Sequence, residues 1–258
     1  MNLYSWNVNG LRAAYQKGFL DWLTATRPDI LGIQETKCSP DQLDRALRQP
    51  ANYHTYWASA TRKGYSGTAL YTRQAPRSVQ IGLGNPEFDQ EGRTIVADYD
   101  SFVLIVAYFP NGGRDLRRVP FKLVYCEDFL NYCNRLRAEG RSVIFCGDIN
   151  TAHQEIDLAR PRENQQHTGF LPHERAWIDK VIANGYVDTF RTFHPDQTDA
   201  YSWWTYITNA RERNVGWRLD YFFVSQDLLP RVVEAGIHPD IYGSDHCPVS
   251  ITLYETKC

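Results

Sequence analysis

Apolar and polar positions fall in short blocks along this chain, and the blocks have two spacings. Leu31-Gly32-Ile33, following Pro28-Asp29-Ile30, is too short a run for a helix and predicts a buried strand ending at Gln34-Glu35. Residues 68–71, 94–97, 102–108, 142–146, 221–224 and 249–253 read as strands in the same way. Elsewhere the spacing changes to three and four. Residues 121–139 carry a stripe of Cys126, Phe129, Leu130, Cys133 and Leu136 with Gly140 after it, and predict a long helix. Pro172 opens a second helix holding Trp177, Ile178, Val181 and Ile182, closed by Gly185. Ser39-Pro40-Asp41-Gln42 reads as a capping box starting a third, with Leu43 and Leu47 four apart. No linker, repeat or low-complexity tract divides the chain, so residues 1–258 are expected to form one α/β domain. Adjacent strand runs suggest hairpins, and two packed mixed sheets with outer helices would suit the length.

Composition narrows the function. With 43 % hydrophobic and 22 % charged residues, the chain is neither disordered, collagen-like nor a rod. Lys and Arg number 28 against 30 Asp and Glu, a net charge of −2. That argues against a grip on nucleic acid through a whole-surface positive field, though not against a local basic strip. The six cysteines, Cys38, Cys126, Cys133, Cys146, Cys247 and Cys258, form no C-x-x-C pair, so reduced and mostly buried thiols are expected rather than a zinc site or disulfides. No signal peptide and no stretch of about 20 apolar residues is visible, so a cytoplasmic protein without a membrane span is expected.

The informative pattern is polar residues placed where strands stop. The first strand ends in Asn7-Val8-Asn9-Gly10, the second at Glu35, another at Tyr108, and residues 142–146 run into Gly147-Asp148-Ile149-Asn150. Asp220 enters a strand, and Gly243-Ser244-Asp245-His246 precedes the last one. Strand ends are where α/β proteins gather side chains into one crevice. A strand-end Asn or Asp is by itself more often a turn residue; six segments repeating the pattern carry more weight. Asp148 and Asn150, two apart, would share one side of an extended segment, a carboxylate and an amide suited to activating and orienting a water. Glu35 and Asp245 offer hard oxygen ligands that suit Mg²⁺ or Mn²⁺ better than zinc, and His246 with Asp220 can form a histidine–carboxylate pair. The set fits metal-assisted hydrolysis of a phosphate ester. No G-x-S-x-G elbow and no G-x-x-x-x-G-K-[ST] loop supports acyl or nucleotide-dependent phosphoryl transfer.

Ser5-Trp6-Asn7-Val8-Asn9-Gly10-Leu11-Arg12-Ala13, Gln34-Glu35-Thr36-Lys37, Lys63-Gly64-Tyr65-Ser66-Gly67, Gly147-Asp148-Ile149-Asn150, Asn214-Val215-Gly216-Trp217-Arg218-Leu219-Asp220-Tyr221 and Gly243-Ser244-Asp245-His246-Cys247-Pro248 together resemble the exonuclease III family of class II apurinic/apyrimidinic endonucleases. The resemblance spans Ser5 to Pro248. It implies a four-layer, DNase I-like α/β sandwich, a Mg²⁺ requirement that Mn²⁺ can meet, and duplex DNA with abasic sites as partner, cut by a monomer. It also implies cleavage 5′ to the abasic site, leaving a 3′-hydroxyl and a 5′-deoxyribose phosphate, with some 3′-exonuclease or 3′-phosphodiesterase activity. By the same resemblance Glu35 is the main metal ligand, and Asp148 deprotonates or positions the water beside Asn150. His246 contacts the scissile phosphate, oriented by Asp220, and Tyr108 lies near that phosphate. Asn7 bonds into the cluster, and Asp245 is a direct or outer metal carboxylate. A two-ion reading of the family adds Asp148, Asn150 and His246 as ligands. Asn9 stands where some members have Asp, which removes a possible anionic ligand.

Arg114 matches a groove-entering arginine, Asn111 and Asn164 match phosphate- or sugar-contacting asparagines, and His167 stands where another Asn is expected. Trp203, Trp217 and Leu219 match an apolar pocket for an extruded sugar, whereas Trp204 reads as core. Arg114, Arg117, Arg118 and Lys122 read as one basic cluster, with Arg62-Lys63 and Arg211-Glu212-Arg213 as others.

Overall fold

A computed structural model describes residues 1–254. Its strands are β1 (Asn2–Asn7), β2 (Ile30–Gln34), β3 (His54–Ala58), β4 (Thr68–Thr72), β5 (Ser78–Ile81), β6 (Thr94–Asp98), β7 (Val103–Tyr108), β8 (Val143–Asp148), β9 (Tyr186–Asp188), β10 (Asp220–Ser225), β11 (Val232–Ile237) and β12 (Val249–Leu253). They form two six-stranded sheets, ordered β11-β12-β1-β2-β4-β3 and β5-β6-β7-β8-β10-β9. Each sheet is mixed. The β1–β2 and β7–β8 pairs are parallel, and β12 and β10 run antiparallel beside them. The helices of eight residues or more are α1 (Phe19–Thr26), α2 (Val119–Ala138) and α3 (Pro172–Ala183).

The layers follow from strand periodicity. On β7, Leu104 and Val106 face the other sheet, packing with Leu3, Leu70, Ile144 and Phe222 in the central core. Their neighbours Val103, Ile105 and Ala107 face outward, under Tyr125, Phe129 and Cys133 of α2 and Trp177, Ile178 and Val181 of α3. On the far side, Trp6, Leu31, Ile33 and Tyr71 of the first sheet are covered by Phe19 and Leu23 of α1. The result is the expected four-layer sandwich. The sheets approach closely at Gly32, where a Cβ would lie 2.9 Å from Val106.

Three local expectations change. Ser39-Pro40-Asp41-Gln42 caps only a single tight turn: the Ser39 amide donates to Gln42 Oε1 at 3.1 Å, but Leu43 is already extended and a separate short helix starts at Arg45. Leu43 and Leu47 nevertheless both reach the outer core of the first sheet. The long helix begins at Val119 rather than residue 121, because Pro120 is tolerated in a first turn that needs no amide donor. Ile182 is 43 % exposed, whereas Trp177, Ile178 and Val181 are buried. The five described cysteines are free and buried, and Cys258 lies outside the described residues. No helix of the described residues is long and apolar enough to cross a membrane.

Candidate active site

The parallel pairs bring four strand ends to one edge of the sandwich. Asn7 ends β1 opposite Gln34 of β2, and Glu35 follows directly. In the other sheet Tyr108 ends β7 opposite Asp148 of β8, and Asp220 opens β10 opposite the same Asp148. The segment before β12 adds Ser244, Asp245 and His246. Half of the cluster therefore comes from each sheet. The chain bends sharply here: Glu35 and Asn150 have φ of 53° and 54°, in the left-handed region. Asn150 reaches Asp148 through this turn rather than along an extended segment as expected. Its amide N–H donates to Asp148 Oδ1 at 2.8 Å, and its Nδ2 to Oδ2 at 3.3 Å. Gly147, near the end of β8, permits the close approach to β7 there, because a Cβ would lie 1.8 Å from the Ala107 carbonyl oxygen.

Ligand atoms of Glu35, Asp148 and His246 lie within 4.8 Å of one another. Asn7, fully buried, bridges the two carboxylates, its Nδ2 donating to Glu35 Oε1 at 2.9 Å and to Asp148 Oδ2 at 2.8 Å. His246 Nδ1–H donates to Asp220 Oδ2 at 2.8 Å, and its Nε2 lies 3.8 Å from Asp148 Oδ2. Burial alone would depress the imidazole, but Asp220 and Asp148 outweigh it and push its pKa up to about 10. Burial, with Asp220 and Glu35 nearby, pushes Asp148 up to about 7 despite the imidazolium. Burial, with Glu35 and Asp148 adding to it, holds the Tyr108 phenol well above its ordinary value, so it remains a neutral donor. Asp220 Oδ1 is buried without a hydrogen-bond partner. The Glu35 and Asp148 carboxylates offer hard, anionic oxygen ligands close together, which fit a divalent cation.

Asp245 is placed differently. Its Oδ1 accepts from Asn9 Nδ2 at 2.8 Å and its Oδ2 from the Trp203 indole at 3.2 Å, so it braces Asn9 and Trp203 beside the cluster. Trp203, Trp217 and Leu219 pack together with Phe170 and Leu158, and the Trp203 ring lies 6.4 Å from that of His246. Trp204 is core, as expected. Asn111 donates to Asn150 Oδ1 at 2.9 Å, Arg114 is exposed on the same loop, and Asn164 donates to the Arg160 carbonyl at 3.0 Å. His167 is exposed.

The basic cluster does not survive as one surface. Lys122 is 1 % exposed, drawn inward by the buried Glu174, and Arg118 is paired with Glu91 at 2.9 Å. Arg211 is spent on the carbonyls of Pro239, Ile241 and Ser244. Sequence reading also missed three neighbours. Lys37 pairs with Glu35 Oε2 at 2.8 Å and also donates to Asn9. Ser202 donates to Asp220 Oδ2 at 2.7 Å, and the guanidinium of the buried Arg93 stacks 4.9 Å from the Tyr108 ring. Lys37 closes the Gln34–Lys37 motif and had a signal there; Ser202 and Arg93 had none.

The profile of the endonuclease/exonuclease/phosphatase family matches residues 4–246. The chain belongs to that family. The match takes in all the strand ends described above. An exodeoxyribonuclease of Bacillus subtilis is 45 % identical over 254 residues, covering 98 % of this chain and 99 % of that protein. The DNA repair nuclease APEX1 of Danio rerio is 44 % identical over 255 residues, 98 % of this chain and 82 % of that one. Among solved structures, the AP endonuclease of Leishmania major superposes with a TM-score of 0.89 at 31 % identity, over 99 % of this chain and 88 % of that one. The resemblance read from the motifs and the DNase I-like layering are both borne out by these matches.

Proposed function

We propose that this chain is a hydrolytic DNA-repair nuclease that cuts the phosphodiester 5′ to an abasic site, with a lesser 3′-exonuclease or 3′-phosphodiesterase activity. The observation that carries the reading is the largely buried Glu35–Asn7–Asp148–His246–Asp220 chain, set beside the Trp203/Trp217/Leu219 cluster. The names of the relatives support the same substrate. Residues 1–258 act as one catalytic unit, since both sheets contribute to the cluster. All the groups come from one chain, which supports a monomer. Five free, buried thiols support the cytoplasm.

Water attacks phosphorus in line, the P–O3′ bond breaks, and the products are a 3′-hydroxyl and a 5′-deoxyribose phosphate. Asp148 accepts the water's proton or fixes its direction, with the Asn150 amide beside it. His246, charged and oriented by Asp220, offers its Nε2–H to a phosphoryl oxygen, and the Tyr108 hydroxyl offers a second donor. Asn7 keeps the Glu35 and Asp148 carboxylates in register. Glu35, with Asp148 as a further ligand, would hold Mg²⁺, which would supply positive charge to the phosphoryl oxygens and favour the ionised Asp148. Asp245 acts outside this set, through Asn9 and Trp203. Trp203, Trp217 and Leu219 admit a base-free sugar and exclude a base-bearing nucleotide by shape. Arg114, Asn111 and Asn164 contact the backbone around it, and with few phosphates engaged binding is salt-sensitive.

A duplex carrying one synthetic abasic site tests the reading. It should be nicked once, 5′ to the lesion, in Mg²⁺ or Mn²⁺, and left whole in EDTA. Cleavage at full rate in EDTA, or no cleavage in Mg²⁺, overturns it.

A further inference from the structure

Lys122 has no part in the chemistry above, yet it is among the most buried polar side chains of the molecule. Its ammonium has three acceptors, each at 2.7 Å: Glu174 Oε1 on α3, the Thr151 hydroxyl and the main-chain carbonyl of Asn150. An ammonium carries three protons, so every one is used. Glu174, buried beside it, is a second junction. Its Oε2 accepts from the amides of Gly169 at 2.6 Å and Leu171 at 3.2 Å, and its Oε1 from the Thr168 hydroxyl at 2.9 Å. Thr168 Oγ1 in turn accepts from the Gly112 amide at 3.1 Å, next to the Asn111 that donates to Asn150.

Stability is a poor explanation for such a pair. Taking two charges out of water costs about as much as their attraction returns, and apolar residues of similar volume commonly serve as well. A pair of methyl groups cannot, however, donate to the Asn150 carbonyl. That carbonyl belongs to a left-handed residue, a conformation Asn visits more readily than most L-residues but one that still needs contacts to fix it. The turn is also what aims the Asn150 N–H groups at Asp148.

We infer that Lys122 is a positioning residue for the hydrolysis: it pins the Asn150 peptide in its left-handed turn so that the amide faces Asp148, and Glu174 holds the ammonium in place. The inference rests on the hydrolytic reading above. The double variant K122M/E174Q tests it, because it keeps the volume and leaves no unpaired buried charge. K180M is the control: Lys180 and Glu127 also join α3 to α2, by an exposed surface pair at 2.5 Å. Single-turnover cleavage of the abasic duplex in Mg²⁺, its Kd in EDTA and Tm are read for each. The double variant should stay folded and cut about 10- to 100-fold more slowly, with Kd within about three-fold of wild type. K180M should match wild type in both.

A folded double variant that cuts within three-fold of wild type overturns the inference. So does a rate loss matched by an equal loss of DNA binding, which would mean general loosening. Should the double variant not fold, K122Q/E174Q, which leaves donors in the space, is read in the same way. If neither folds, the pair is a folding element and the inference fails. Wild type that leaves the abasic duplex uncut overturns the reaction reading instead.

Discussion

Asp148 and Asp157 are both buried to within 1 % of their surface, and their environments push them in opposite directions. Burial alone would raise Asp157, but Arg218 at 2.8 Å and Arg191 at 2.6 Å outweigh it and hold it at about 2. Arg218 also reaches Asp188 at 2.7 Å, so two carboxylates meet two guanidinium groups and the cluster is neutral within itself. Asp148 faces Glu35 and Asp220, with the His246 imidazolium opposing them, and rises to about 7. The clusters are neighbours, since Arg218 and Asp220 are two residues apart. The difference separates a carboxylate that the fold has already satisfied from one left in need of a cation. Burial alone distinguishes nothing.

The contrast is easiest to break at Asp148. Asp148→Asn keeps the shape and removes the charge, so kcat on abasic duplex should fall by at least roughly 10²-fold, while the thermal midpoint holds or rises and abasic-DNA binding persists. A variant within a few-fold of wild type would show Asp148 to be as structural as Asp157.

Asp157→Asn should do the reverse. Removing one partner of a buried ion pair costs about 3–5 kcal/mol of stability, read from denaturant midpoints. The same change should alter the acid limb of unfolding. A folded pKa near 2, below the ordinary 3.8, contributes stability that is present above about pH 4 and lost as pH falls through 2. Wild type should therefore lose this increment between about pH 4 and 2, and Asp157→Asn should show a flatter limb. An unchanged limb would remove Asp157 from the comparison.

The smallest effect lies in the pocket wall, where Trp217 and Leu219 flank Arg218. Trp203→Ala and Trp217→Ala should relax discrimination between abasic and intact duplex by several-fold more than they slow the phosphate chemistry. The ratio of the two cleavage rates reads this directly. If both variants fold and the ratio stays constant, the tryptophans belong with the structural cluster.

Asn7, Glu35, Asp148 and Asp220 were legible because each stands where a short apolar strand run stops or starts, and His246 because its motif leads into the last such run. Distant partners leave no such mark. Lys122 looked like surface because it follows Arg114, Arg117 and Arg118, and only Glu174, 52 residues on, draws it inward. Ser202 and Arg93 were unreadable for the same reason: their meaning comes from Asp220 and Tyr108. The helix expected after Ser39 failed on backbone geometry at Leu43, which no side-chain pattern announces.

The split origin of the active site has a consequence for the growing chain. Asn7 and Glu35 come from one sheet, Tyr108, Asp148 and Asp220 from the other, and β1 is closed on one side by β12, whose Thr252 pairs with Asn2. The parts of the proposed hydrolytic apparatus are thus made early, midway and late in synthesis, with His246 the last. A partly made chain holds acids and amides but no assembled cutting centre. On the proposed reading, a chain whose two sheets have not closed on each other has no assembled centre with which to break a strand.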